Sequence, residues 1–166
     1  YDFNSVGTDR GSKEDHNAED LVQDKILEVI SSKYPSAFVM KEFPVSHKEG
    51  KLETNRPYRI DILAALNRVL LVGEVKVGDN KAIEVIPQIL DYYLHMKQNL
   101  THFAQQGWDN KQLRNLETVI CYLFYDKHHP LFNLALSLYE NENFKIFQIK
   151  NEEVSYDSIN RLFSSN

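Results

Sequence analysis

The chain has 166 residues, of which 42% are hydrophobic and 26% charged, enough to bury the core of one folded domain and unlike the composition of a disordered chain. Its formal net charge of -5 argues against a protein that coats nucleic acid through a basic surface, although acidic metal ligands would contribute to such a total. No apolar run approaches the roughly 18 residues that span a bilayer, no basic-then-apolar leader opens the sequence, and one cysteine, Cys121, excludes an internal disulfide framework and suits the cytoplasm or another reducing intracellular compartment.

Residues 1–16 are polar, lack apolar periodicity and read as a flexible lead-in to a single domain over 17–166. Asn17 offers a helix cap, and Leu21, Val22, Ile26, Val29 and Ile30 form one apolar stripe of a helix that ends before Tyr34-Pro35. Ala37 to Val45 reads as a strand, and the charged stretch from Ser46 to Arg56, with Gly50, as an exposed loop. Tyr58 to Leu66 and Val69 to Val77 are β-rich runs on either side of Asn67-Arg68, which predicts an antiparallel hairpin. Gly78-Asp79-Asn80 breaks the second run and precedes a helix from about Lys81 to Gln98, in which Pro87 predicts a kink or a late start. A polar region over 107–115 leads to a strand from Glu117 to Tyr125, then a helix from Pro130 to Tyr139, a strand from Phe144 to Ile149 and a short terminal helix from Tyr156 to Phe163. This order gives an α/β domain with a single mixed β-sheet flanked by helices.

The chemistry concentrates in the hairpin. Asp61 interrupts the apolar run Ile60-Asp61-Ile62-Leu63-Ala64, and Glu74 and Lys76 interrupt Leu70-Leu71-Val72-Gly73-Glu74-Val75-Lys76-Val77. Charges inside such strands are costly to bury unless paired or bound to a metal. Side chains alternate along a strand, so Glu74 and Lys76 share a face. A hairpin closing symmetrically about Asn67-Arg68 sets Leu66 against Val69 and therefore Asp61 against Glu74. Arg68 is not a favoured residue for a tight primed turn, but a four-residue loop about the same centre keeps that register. Directly opposed carboxylates repel each other. A divalent cation between them converts the repulsion into coordination, and oxygen ligands suit Mg²⁺ or Mn²⁺.

A third acid lies on the first helix. Glu19 falls three residues before Val22 and seven before Ile26, on the core-facing side, whereas Asp20 aligns with Asp24 and Glu28 on the solvent side.

An acid on a first helix, Asp61 on a strand, Glu74-Val75-Lys76 on the next strand and a helix after it together resemble the PD-(D/E)XK nucleases. Gln88 and Tyr92, spaced i, i+4 on one helix face, resemble the Gln-xxx-Tyr motif of the RecB-like branch of that superfamily. Ile60 stands where the family name has proline, a departure that bears on the subfamily. The resemblance, carried by residues 17–93, implies a restriction-endonuclease-like αβββαβ core and a metal-dependent nuclease. It further implies Mg²⁺ or Mn²⁺ held by Asp61, Glu74 and the Val75 carbonyl, with Glu19 completing the site directly or through water. Lys76 would orient the attacking water and offset charge on the phosphate, and Gln88 and Tyr92 would position the lysine or the nucleic-acid backbone. The implied substrate is nucleic acid, with DNA favoured over RNA; a homodimer or a fused partner fits many relatives, and a membrane partner does not fit. A catalytically silent nuclease-like module for binding or assembly is the alternative.

Other polar residues have simpler explanations. Cys121 in an apolar strand reads as inert core. His128-His129 lacks companion ligands and reads as a loop before a helix, and His16 as part of a solvated turn. Lys41, Lys48, Lys51, Arg56 and Arg59 offer either a phosphate-tracking edge or a solvated charged segment, because Glu42, Glu49 and Glu53 are interspersed.

Overall fold

The computed structural model describes residues 13–45, 58–77, 82–106, 108–125, 144–148 and 162–163. Three helices, α1 (Lys13–Lys33), α2 (Ala82–Gln98) and α3 (Leu100–Ala104), accompany five strands: β1 (Phe38–Val45), β2 (Tyr58–Leu66), β3 (Val69–Lys76), β4 (Thr118–Tyr125) and β5 (Phe144–Gln148). The strands form one sheet in the order β1-β2-β3-β4-β5. β1, β2 and β3 pair antiparallel, whereas β3–β4 and β4–β5 pair parallel. A parallel neighbour requires a crossover, and α2 and α3 lie in the one between β3 and β4. The domain is therefore an α/β fold on a mixed sheet, as the element order implies.

Period-two alternation divides the apolar residues between two cores. Leu63, Ala65, Leu70, Val72, Cys121 and Leu123 pack with Val85, Ile86, Ile89 and Tyr92 of α2. Ile62, Ala64, Leu71, Val75, Ile120 and Phe124 pack with Val22, Ile26 and Ile30 of α1. With a helix on each face, β3 is buried almost throughout, which explains its nearly unbroken apolar sequence. Glu74 is thus set into the most enclosed strand. Among the described residues, no helix is long and apolar enough to cross a membrane.

The hairpin closes with Leu66 paired to Val69, the anticipated register. Its turn is tighter than a four-residue loop: Asn67 and Arg68 have φ of 50° and 71°, the sign that a primed two-residue turn demands. Asn tolerates this conformation, but Arg is held in it from outside. The Arg68 carbonyl accepts from the Glu117 and Thr118 backbone N–H groups at 2.8 and 3.3 Å, and its guanidinium pairs with Glu117.

Several boundaries depart from the sequence reading. α1 begins at Lys13, so residues 13–16 belong to the helix rather than to a lead-in; Lys and Glu favour helix even where no apolar stripe marks it. α2 starts at Ala82 and runs through Pro87, in keeping with the α2-face contacts made by Val85, Ile86 and Ile89 on either side of it. α3 and a 3₁₀ turn over Lys111–Leu113 occupy a region without a clear helical signal. They are fixed by tertiary contacts, with Phe103 packed edge-on against Phe43 and the Trp108 indole donating to the Phe103 carbonyl at 2.6 Å. The helix expected over 130–139, residues 1–12 of the lead-in, His128, His129 and most of the terminal helix lie outside the described residues, and Leu162 and Phe163 form part of a turn.

Gly73, immediately before Glu74, permits the close approach of three elements. A Cβ built there would lie 3.0 Å from Phe124 Cε2 and 3.1 Å from Ile62 Cβ. Ile62 is fixed in the paired strand and cannot yield. Gly73→Ala is therefore expected to destabilise the fold by about 1–3 kcal/mol, measurable as a lower midpoint in urea denaturation, and an unchanged midpoint would show that the packing is looser than described.

Candidate active site

The β2–β3 ladder ends at the Ile62–Gly73 pair, and one step further along the same register Asp61 faces Glu74. Here a side chain takes over from the ladder: Asp61 Oδ2 accepts the Val75 backbone N–H at 2.8 Å. Asp61 is 9% exposed and Glu74 1%. Two carboxylates are therefore carried into the interior on adjacent strands.

The remaining residues arrive from both sides of the sheet. Lys76, at the end of β3, sets its ammonium 3.2 Å from Glu74 Oε1 and 3.8 Å from Glu19 Oε1 on α1. Gln88 on α2 donates through Nε2 to Glu74 Oε1 at 2.8 Å and to the Tyr92 hydroxyl at 3.2 Å. Glu19, Asp61, Glu74, Lys76, Gln88 and Tyr92, the six side chains singled out in the sequence, thus form one connected group. Val75 contributes its N–H, and its side chain packs on the α1 face. The helix-face reading of α1 also holds: Glu19 is half-buried toward the site, whereas Asp20 and Asp24 are exposed.

The electrostatics follow from burial. Burial pushes the Asp61 carboxyl up to about 6; Lys76 and the Val75 N–H oppose this, while Glu42 and Glu19 add to it. Burial raises Glu74 well above the usual carboxylate range, and Asp61 raises it further. Burial alone would lower the Lys76 ammonium, but Glu74, Asp61 and Glu19 outweigh it and keep the lysine protonated. Tyr92 is raised by burial and then by Glu74, so it remains a neutral hydroxyl. The Cys121 thiol is raised for the same two reasons, which agrees with its reading as inert core.

This donor set fits a hard divalent cation. Among the described residues Glu74 Oε2 is buried without a hydrogen-bond partner, a costly state for a carboxylate oxygen. Three acids face one ammonium, so within the group acids outnumber cations. Among the described residues, no three His, Cys, Asp or Glu side chains converge as a ready-made cage.

No known protein family matches the chain, and no curated protein is significantly similar to it.

Two of the basic residues for which a phosphate-tracking edge was one of two readings are paired with acids. Lys41 does not form a free phosphate-tracking edge, because its ammonium lies 3.2 and 2.9 Å from Asp20 and Asp24 and ties β1 to α1. Arg59 is paired with Glu42 at 3.2 Å. Both were drawn toward acids that sequence spacing could not bring close. Lys48, Lys51 and Arg56 lie outside the described residues, as does the side chain of His16.

One neighbour of the site escaped the sequence reading. Glu42 of β1 has a φ of 55° in the middle of a strand, which costs about 1–2 kcal/mol for an L residue. Its charge acts on Asp61. The available signal was the adjacent pair Lys41-Glu42, which breaks the polar alternation of an otherwise apolar strand.

The raised Asp61 value has a consequence for stability. Folded Asp61 holds its proton more tightly than the unfolded chain, with values of about 6 and 3.8. Its contribution is thus fully present below the unfolded value and lost as pH rises through about 6. Asp61→Asn keeps an oxygen acceptor for Val75 without the charge. In chelator at pH 7.5 it is expected to raise the thermal midpoint by about 3–6 °C, and near the unfolded value, at about pH 4, by much less. Equal shifts at both pH values would mean that Asp61 is not destabilised by burial.

Proposed function

We propose that this chain is a metal-dependent nuclease of the PD-(D/E)XK type that hydrolyses phosphodiester bonds, with DNA as its substrate. The observation that carries this reading is the pair of buried carboxylates on adjacent strands, Asp61 and Glu74, the latter with an unpartnered oxygen, beside Lys76. The order α1-β1-β2-β3-α2-β4 supports it, being the αβββαβ order of a restriction-endonuclease-like core.

Asp61, Glu74 and the Val75 carbonyl would hold Mg²⁺ or Mn²⁺, with Glu19 assisting directly or through water. When bound, such an ion acidifies a coordinated water and offsets negative charge on the phosphate. The protein's own groups supply orientation. Gln88 and Lys76 both engage Glu74 Oε1, which fixes the plane of that carboxylate and leaves Oε2 for a ligand. The Val75 N–H fixes Asp61 in the same manner.

Lys76 retains its positive charge, and 20% exposure at the rim of the site leaves donors for a phosphate oxygen or for the attacking water. Preorganised donors of this kind stabilise the charge that develops in the transition state. Glu19 and Glu74 aim the ammonium, and Tyr92 braces Gln88.

The test is cleavage of single-stranded, double-stranded and branched DNA, with matched RNA, in Mg²⁺ or Mn²⁺. Asp61→Asn, Glu74→Gln and Lys76→Met should each reduce the rate by about 10²–10³-fold or more, and chelator should abolish it. Cleavage that survives all three substitutions would refute the assignment. A preference for RNA would keep the chemistry and change the substrate.

A further inference from the structure

We propose that Glu42 is a further carboxylate of the cation site built on Asp61 and Glu74, held by Arg59 while no cation is bound. The inference rests on the metal-centre reading above and extends it to a residue on a third strand.

β1 and β2 pair at Lys41–Ile62 and again at Phe43–Ile60, so the intervening step sets Glu42 against Asp61. That step is missing from the ladder, and Glu42 there adopts the left-handed φ of 55°. Side-chain alternation slips at the same place. Phe38 and Phe43, an odd number of residues apart, both pack on the α2 face, as do Ile60 and Leu63. The two strands thus lose regular pairing at the step that carries Glu42 and Asp61.

Opposed like charges destabilise a sheet, and Glu42 adds to the charge already acting on Asp61. Among the described residues its ion-pair partner is Arg59, at 3.2 Å, with the two side chains 36% and 53% exposed. So open a pair contributes little and can exchange for a stronger partner. A ligand is indicated independently by Glu74 Oε2, which is buried and has no partner. As placed, the described acids form no group of three able to hold an ion, so ligation by Glu42 requires its partly exposed side chain to leave Arg59 and turn toward Asp61. Its displacement would release Arg59 at the rim of the site.

Mn²⁺ titration of the full chain without substrate, followed by calorimetry and by the electron paramagnetic resonance of free Mn²⁺, tests this. Glu42→Gln and Glu42→Gly should each weaken Mn²⁺ binding by about tenfold, and Arg59→Gln should tighten it a few fold. Glycine accepts a left-handed φ without strain, so Glu42→Gly should also raise the thermal midpoint while losing affinity, which a merely structural glutamate would not do. Wild-type affinity in either Glu42 variant, while Asp61→Asn loses the ion, would overturn the role of Glu42 and leave the centre standing. Failure of the wild type to bind Mn²⁺, or binding that Asp61→Asn leaves intact, would overturn the metal centre itself and this inference with it.

Discussion

Two carboxylates buried side by side are the constraint around which this domain is organised. A charged group in a protein interior needs a partner, and like charges in adjacent strands need one that both can share. Lys76 meets part of that demand by sitting on Glu74 Oε1, yet Glu19 draws on the same ammonium. Among the described residues no donor reaches Glu74 Oε2, so the group is left unsatisfied there. Stability alone would favour an apolar pair at these positions. The buried acid pair therefore costs stability, a cost that functional centres commonly carry.

The fold produces this placement through features that individually look ordinary. The Asn67-Arg68 turn sets the register that brings Asp61 to Glu74, and a slip of one residue would carry every side chain of the strand to the other face. The start of β4 holds that turn through the Arg68 carbonyl, so the register is secured from outside the hairpin. Gly73 lets Phe124 and Ile62 close around the strand just before Glu74. α1 and α2 then deliver Glu19 and Gln88 from opposite faces, so the group is assembled from four elements and collapses if the sheet loses either helix.

Much of this was legible because the relevant patterns are local. Charges inside apolar strands, an i, i+4 pair on α2 and the face of α1 that carries Glu19 depend on periods of two and 3.6 residues, which a sequence displays directly. The hairpin register was legible for the same reason, being fixed by a short turn. What escaped depends on contacts between distant segments. α3 is held by Phe43 and by Trp108 rather than by an apolar stripe of its own. Lys41 finds Asp20 and Asp24 across the β1–α1 contact, and Arg59 finds Glu42 across β1–β2. The left-handed backbone at Glu42 had a faint signature in two adjacent charges, but no propensity rule assigns such a conformation to glutamate. The helix start at Lys13 was missed because a solvated first turn needs no apolar residue to mark it.

The division of labour between the oxygens of each acid gives the assembly its chemical sense. Asp61 is anchored through Oδ2 by a backbone N–H, and Glu74 through Oε1 by an amide and an ammonium. Anchoring one oxygen fixes the plane of a carboxylate and so the direction in which the other can bind, which removes orientational freedom before any ligand arrives. The anchors differ in strength. A backbone amide is neutral and immobile, so Asp61 is oriented with little loss of its charge, whereas the Lys76 ammonium is shared between Glu74 and Glu19 and, under the proposed function, would turn partly toward phosphate. Gln88 resolves that competition: its amide stays on Oε1, braced by Tyr92, whether or not the lysine turns away. Under the proposed function, a lysine serving both the resting site and the substrate would need a neutral second donor on the same oxygen, and Gln88, paired i, i+4 with Tyr92, supplies one.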